Sequence, residues 1–179
     1  MIPRLLSQEL HKLLFEYPVV TVIGPRQAGK TTLVRSQLPD HQYCNLESPE
    51  NRQFAEADPV GFLKQFSGPC ILDEIQRVPK LLSYIQTMVD QDASSKNSNG
   101  RYILTGSHQL LLQEAITQSL AGRTAILKLL PFSMEELDQA GIGFDRFEDY
   151  VHHGFLPRIY DQKQRPYQAY GNYYLAFDS

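Results

Sequence analysis

Apolar residues recur along this chain at two spacings, one helical and one suited to short buried strands. Leu6, Leu10, Leu13, Leu14 and Tyr17 follow helical spacing, so residues near 5–16 predict an amphipathic helix that Pro18 stops. Residues 19–23 are a β-branched run of the kind found in buried parallel strands. A glycine-containing stretch follows directly, and behind it a helix reaching about Leu38. Residues 43–46 predict a second strand, residues 49–66 a helix broken near Pro59, and residues 69–74 a third strand. Leu81, Leu82, Ile85, Met88 and Val89 mark another helix, and the polar segment 91–100 reads as an exposed loop. Strands at 101–107 and 124–130 enclose a helix at 108–120, and Pro131 ends the last strand. Beyond it the pattern is helical, with a turn at 154–157. Strands alternating with helices imply an α/β fold with a parallel sheet covered on both faces. The expected division is a core over 1–130 and a helical extension over 131–179, a truncated lid or the start of a missing C-terminal domain.

Composition narrows the class. The chain has 179 residues, 42% hydrophobic and 21% charged, which fits a folded domain and excludes a disordered chain. A net charge of −3 and a pI near 5.9 give no overall basic bias toward nucleic acid. Cys44 and Cys70 form neither a disulfide framework nor a zinc pattern, and read as buried free thiols on neighbouring strands. His152-His153 lacks metal-ligand spacing and reads as a helix end. There is no run of about 18 apolar residues and no signal-peptide shape, so the expectation is a cytoplasmic protein without a membrane span.

Candidate chemistry begins where the first strand ends. Gly24-Pro25-Arg26-Gln27-Ala28-Gly29-Lys30-Thr31 matches G-x-x-x-x-G-K-[ST] throughout, and Thr32 follows. A triphosphate crowds negative oxygens together, and backbone N–H groups must converge on them without obstruction. Gly24 and Gly29 permit the tight backbone, and the helix that starts near Gly29 adds the positive end of its dipole. In this pattern Lys30 reaches the β- and γ-phosphates and the Thr31 hydroxyl ligates Mg²⁺. The strand Cys70-Ile71-Leu72 ends in Asp73-Glu74. Asp73 fits the second magnesium ligand, and Glu74 fits a general base that polarises the attacking water. Ser107, at the end of the fourth strand, is either a helix N-cap or a hydrogen-bond partner of the water or γ-phosphate. Arg26 reads either as a contact to phosphate or to a neighbouring subunit, or as a solvated surface residue. His108 reads as structural or exposed. Tyr167, Tyr170, Tyr174 and Phe177 form one apolar helical face.

Taken together, Gly-Pro-Arg-Gln-Ala-Gly-Lys-Thr-Thr, Leu-Asp-Glu-Ile-Gln-Arg-Val-Pro, Leu-Thr-Gly-Ser and Ser-Leu-Ala-Gly-Arg resemble the AAA+ branch of P-loop ATPases. More narrowly they look like a family of predicted prokaryotic ATPases whose members usually carry a C-terminal domain of unknown function. The resemblance runs from about Ile2 to Phe177. It implies a three-layer P-loop NTPase sandwich with a five-stranded parallel sheet of order 5-1-4-3-2. It also implies Walker A at 24–31, Walker B at 70–74 and sensor 1 at Ser107. By the same resemblance Arg123 is a candidate arginine finger acting across a homo-oligomer; otherwise it is an arginine with a local partner. Arg158 is a weaker candidate for sensor 2. The leading function is Mg²⁺-dependent hydrolysis of ATP. The alternatives are a nucleotide-dependent binding module or truncated fragment without effective hydrolysis, and a P-loop small-molecule kinase. The resemblance suggests DNA or protein effectors, but no motif identifies one.

Overall fold

The computed structural model describes residues 2–92, 98–107 and 110–161. In chain order the elements are α1 (Leu6–Glu16), β1 (Val19–Gly24), α2 (Lys30–Gln37), β2 (Gln42–Asn45), α3 (Pro49–Ala57), α4 (Pro59–Lys64), β3 (Cys70–Asp73), α5 (Leu81–Asp92), β4 (Tyr102–Ser107), α6 (Leu110–Leu120) and β5 (Thr124–Lys128). Three short helices follow: α7 (Met134–Gln139), α8 (Phe147–His153) and α9 (Pro157–Asp161). The strands form one five-stranded sheet in the order β2-β3-β4-β1-β5, with parallel pairing throughout. This is the order 5-1-4-3-2 that the resemblance implied. Among the described residues no helix is long and apolar enough to cross a membrane.

Two apolar clusters show why the sheet is covered on both faces. Val20 and Val22 of β1 point to the side where Leu10 of α1 and Leu33 and Val34 of α2 pack. Val19 and Ile23 point to the other side, where Phe62 and Leu63 of α4 pack together with Leu81, Leu82 and Ile85 of α5. A strand that buries both faces must be apolar at successive positions, which is why residues 19–23 read as a continuous run. Phe132, Leu137 and Tyr150 form a separate small cluster in the C-terminal helices, joined by Ile2 from the start of the chain.

Several boundaries differ from the sequence expectation, each for a local reason. The 49–66 segment breaks at Pro59 as expected, since Pro59 opens α4 and the Asp58 side chain accepts the Gly61 N–H as its cap, but α4 ends at Lys64. The third strand ends at Asp73, since Glu74 turns into the left-handed region at φ 59° and a 3₁₀ turn over Ile75–Arg77 follows. The last strand ends at Lys128. Leu129 still donates its N–H to the Ile23 carbonyl at 2.8 Å, but the Leu130 carbonyl turns away to Arg4. Helix α5 extends through Gln91 and Asp92, and Gly100 is buried with its N–H on the Tyr17 carbonyl at 2.8 Å, so the expected exposed loop is shorter at both ends. The aromatic face from Tyr167 to Phe177 and His108 lie outside the described residues.

Candidate phosphate and metal site

The carboxyl ends of β1, β3 and β4 lie side by side, which gathers three chemically distinct groups at one edge of the sheet. Gly24 is in register with Ser107, and β3 delivers Asp73 one strand further on. In parallel α/β sheets this edge is where ligands bind.

The loop after β1 takes its shape from two left-handed residues, Gln27 at φ 62° and Gly29 at φ 91°. Such alternation turns successive N–H groups into a concave, anion-binding surface. Helix α2 starts immediately behind it, and the first N–H groups of any helix lack intrahelical partners. Lys30 is buried to 5% exposure, with its ammonium donating to the Gly24 and Pro25 carbonyls at 3.1 and 2.9 Å. Burial pushes its pKa below the ordinary lysine value. The Glu74 and Asp73 carboxylates oppose that shift, and Arg26 adds to it. Ala28 is fully buried, and Thr31 and Thr32 occupy the first turn of α2.

Asp73 is the best-supported side chain of the site. It is buried to 4% exposure and accepts from three hydroxyls: Thr31 at 3.0 Å to each oxygen, Tyr43 at 2.7 Å, and Thr105. Thr105 also accepts the Glu74 N–H at 3.2 Å, so one hydroxyl fixes both acidic residues. Burial raises the Tyr43 phenol above its usual value, and the hydrogen bond to Asp73 adds to that, so Tyr43 stays a donor. Arg35 lies 4.6 Å over the Tyr43 ring. The Glu74 carboxylate accepts from the Gln76 amide. Ser107 is buried, and its hydroxyl has no hydrogen-bond partner among the described residues.

A cavity of about 620 Å³ opens over Lys30, Thr31 and Glu74. Arg26, Gln27, Gly29, Lys30, Thr31 and Thr32 line one side, and Glu74, Arg77 and Arg158 face it from other elements. The geometry therefore brings Lys30, Thr31, Asp73 and Glu74 together, with Ser107 at the adjoining strand end. Arg123 lies elsewhere. It precedes Thr124, which is in register with Val19, so it sits at the opposite end of the sheet, roughly 16 Å along a five-residue strand. There it holds Asp90 through two contacts of 2.6 and 2.9 Å and donates to the Ala121 carbonyl.

Tyr43, Thr105, Gln76 and Arg4 escaped the sequence reading as site residues. Thr105 carried a usable signal, since it stands two positions before Ser107 on the same strand. Gln76 stands two positions after Glu74 in the same turn, whereas Tyr43 and Arg4 reach the site through tertiary contacts that no local spacing announces. Among the described residues there is no cluster of metal-ligating side chains of the His/Cys/Asp/Glu type, so any metal here would depend on the mixed hydroxyl–carboxylate pair.

This sheet order, with a phosphate loop behind β1 and a carboxylate pair behind β3, defines a P-loop NTPase fold. The chain belongs to the AAA domain family, whose model matches residues 16–138. It is 34% identical over 133 residues to the uncharacterized proteins Rv2008c of Mycobacterium tuberculosis and Mb2031c of Mycobacterium bovis. The match covers 73% of this chain and 29% of each relative. Among solved structures, the Walker-type ATPase PABY2304 of Pyrococcus abyssi is similar at a TM-score of 0.55 and 20% identity, over 88% of this chain and 65% of that one. The ORC2 protein of Aeropyrum pernix, solved with ADPNP and ADP, is similar at 0.51 and 16%, over 77% and 51%. At these identities the structural likeness concerns the fold.

Proposed function

We propose that this chain binds ATP with Mg²⁺ and hydrolyses it to ADP and phosphate. The observation that carries the reading is the meeting of Lys30, Thr31 and Glu74 at one cavity, with Asp73 accepting the Thr31 hydroxyl at 3.0 Å, behind the ends of separate strands. Lys30 exchanges its loop carbonyls for phosphate oxygens, and the loop N–H groups supply the remaining donors. The Thr31 hydroxyl and Asp73 carboxylate are hard oxygen donors within 3.0 Å of each other, a set that suits magnesium. Bound there, the ion supplies charge neutralisation on the phosphate oxygens. Glu74 takes the proton of the attacking water, and the unpartnered Ser107 hydroxyl supports a contact to that water or to the terminal phosphate. The extension after residue 130 then acts as a lid, with its own apolar cluster and with Arg158 facing the cavity. Arg123, at the far end of the sheet and paired with Asp90, is too distant to act on a phosphate bound to its own chain.

One observation favours a second reading, a nucleotide-dependent binding module with little turnover. The Glu74 carboxylate is engaged by Gln76, which draws it toward its own turn. Calorimetry with ADP and with a non-hydrolysable ATP analogue, together with phosphate release, separates the readings. Lys30→Ala should abolish binding, and Glu74→Gln should keep binding but lose turnover by about 10²-fold or more, on the order of general-base catalysis. ATP binding without turnover by the unmodified chain selects the second reading, and absence of nucleotide binding ends both.

A further inference from the structure

Arg4 is a long way in sequence from the phosphate loop, yet its guanidinium is packed against it. Its side chain is 9% exposed, and each of its three nitrogens is engaged. Nε meets Glu136 Oε1 at 3.0 Å, Nη1 donates to the Ala28 carbonyl at 2.8 Å, and Nη2 donates to the Leu130 and Pro131 carbonyls at 2.5 and 3.4 Å. The guanidinium carbon lies 4.7 Å from the centre of the Phe132 ring. Glu136 is equally committed: Oε1 also accepts the Leu5 N–H and Oε2 the Ser133 N–H, both at 2.9 Å. A buried charge pair partnered on every side holds one geometry, because any displacement strands a charge.

The contact to Ala28 has a stereochemical consequence. The Ala28 carbonyl and the Gly29 N–H belong to the same peptide plane, and in a trans peptide they point in opposite directions. Arg4 draws the carbonyl toward the cleft that it lines with Pro3 and Phe132, away from the phosphate cavity. The Gly29 N–H is thereby turned toward the cavity side. Gly29 itself stands between the two, lining both, and a Cβ on it would lie 3.5 Å from Arg4 Nη1. Gly29, at φ 91°, precedes the helical ladder of α2, and Arg4 supplies a side-chain donor to the carbonyl of the peptide before it.

We infer that Arg4 is a positioning residue for the phosphate loop, holding the Ala28–Gly29 peptide with its N–H directed at a bound phosphate and linking that orientation to α7 through Glu136. The inference rests on the nucleotide reading above. The test uses Arg4→Lys, which keeps a cation for Glu136 but cannot span Glu136 and Ala28 together. ADP affinity is measured by calorimetry, the Gly29 amide by ¹⁵N–¹H NMR with and without ADP, and fold by thermal melting. ADP affinity should fall about tenfold or more, the scale of one hydrogen bond to a charged group. The ADP-induced shift of the Gly29 amide should shrink in a folded variant, which loss of packing alone does not produce. Should Arg4→Lys fail to fold, the pair Arg4→Met with Glu136→Gln removes both buried charges and keeps a residue able to close the capping box. A folded variant with unchanged ADP affinity and an unchanged Gly29 shift overturns the inference alone. Failure of the unmodified chain to bind ADP overturns the nucleotide reading and this inference with it.

Discussion

Asp73 shows how much of a site can depend on one carboxylate and its donors. Thr31, Tyr43 and Thr105 come from α2, β2 and β4, so three elements agree on where that side chain points. Tyr43 is the most informative of them, because unlike Thr31 it lies outside the phosphate loop and unlike Thr105 it does not also hold the Glu74 N–H. Tyr43→Phe removes one hydroxyl and little volume. Its expected effect is a loss of about tenfold in the magnesium-dependent part of nucleotide affinity, the usual scale for a partner behind a metal ligand. Affinity for ADP in excess chelator should change little. Titrations with and without magnesium check this, and equal losses in both would assign Tyr43 to folding instead.

At the scale of elements, the central strands β1, β3 and β4 were legible because each carries a short apolar run, and a strand buried on both faces has no other way to be written; the edge strand β2, Gln-Tyr-Cys-Asn, carries a weaker signal. The phosphate loop was legible because its chemistry is contiguous in sequence. What could not be read was conformational or distant. Glu is rarely left-handed, so nothing in the sequence announced the turn at Glu74 that ends β3 early. Arg4 and Glu136 are 132 residues apart, and the contacts of Arg4 to the Leu130 and Pro131 carbonyls draw the chain off the sheet beyond Lys128. Gly24 is a case where the sequence reading found the residue for a partial reason. Its place in the motif suggests room for phosphate, but the close approach is on another side: a Cβ there would lie 2.0 Å from the Leu129 carbonyl oxygen, where the chain leaving β5 continues beside β1. Gly24→Ala should therefore destabilise the whole fold, by about 1–3 kcal/mol as overpacking does. Denaturant unfolding without nucleotide measures it, and a stable variant defective solely in binding would contradict it.

Across the whole molecule, the two thiols report on the integrity of the sheet. Cys44 and Cys70 are buried and free, on the paired strands β2 and β3. Burial raises their pKa values to about 11 and about 12 from 9.0. The fold therefore favours the neutral thiol. Their contribution to stability is complete below pH 9 and is lost as pH rises through 11 and 12. At about pH 8 neither thiol should be alkylated at the rate of an exposed cysteine, and both should react together when the sheet opens, with ADP slowing the reaction. Mass spectrometry of timed labelling checks this; rapid single labelling in the native state would contradict it. The sheet order has a further consequence, for how the molecule is made. β1 is synthesised before both of its partners, since β4 and β5 begin at Tyr102 and Thr124. At about 5–20 residues per second, the phosphate loop waits roughly 5–20 s for the strands that seat it. During that interval an apolar strand and a nucleotide motif are exposed without the sheet that gives either its shape. A ligand that binds only the assembled loop cannot assist the first part of this folding, and the slow step is expected to be closure of β1 between its two late partners.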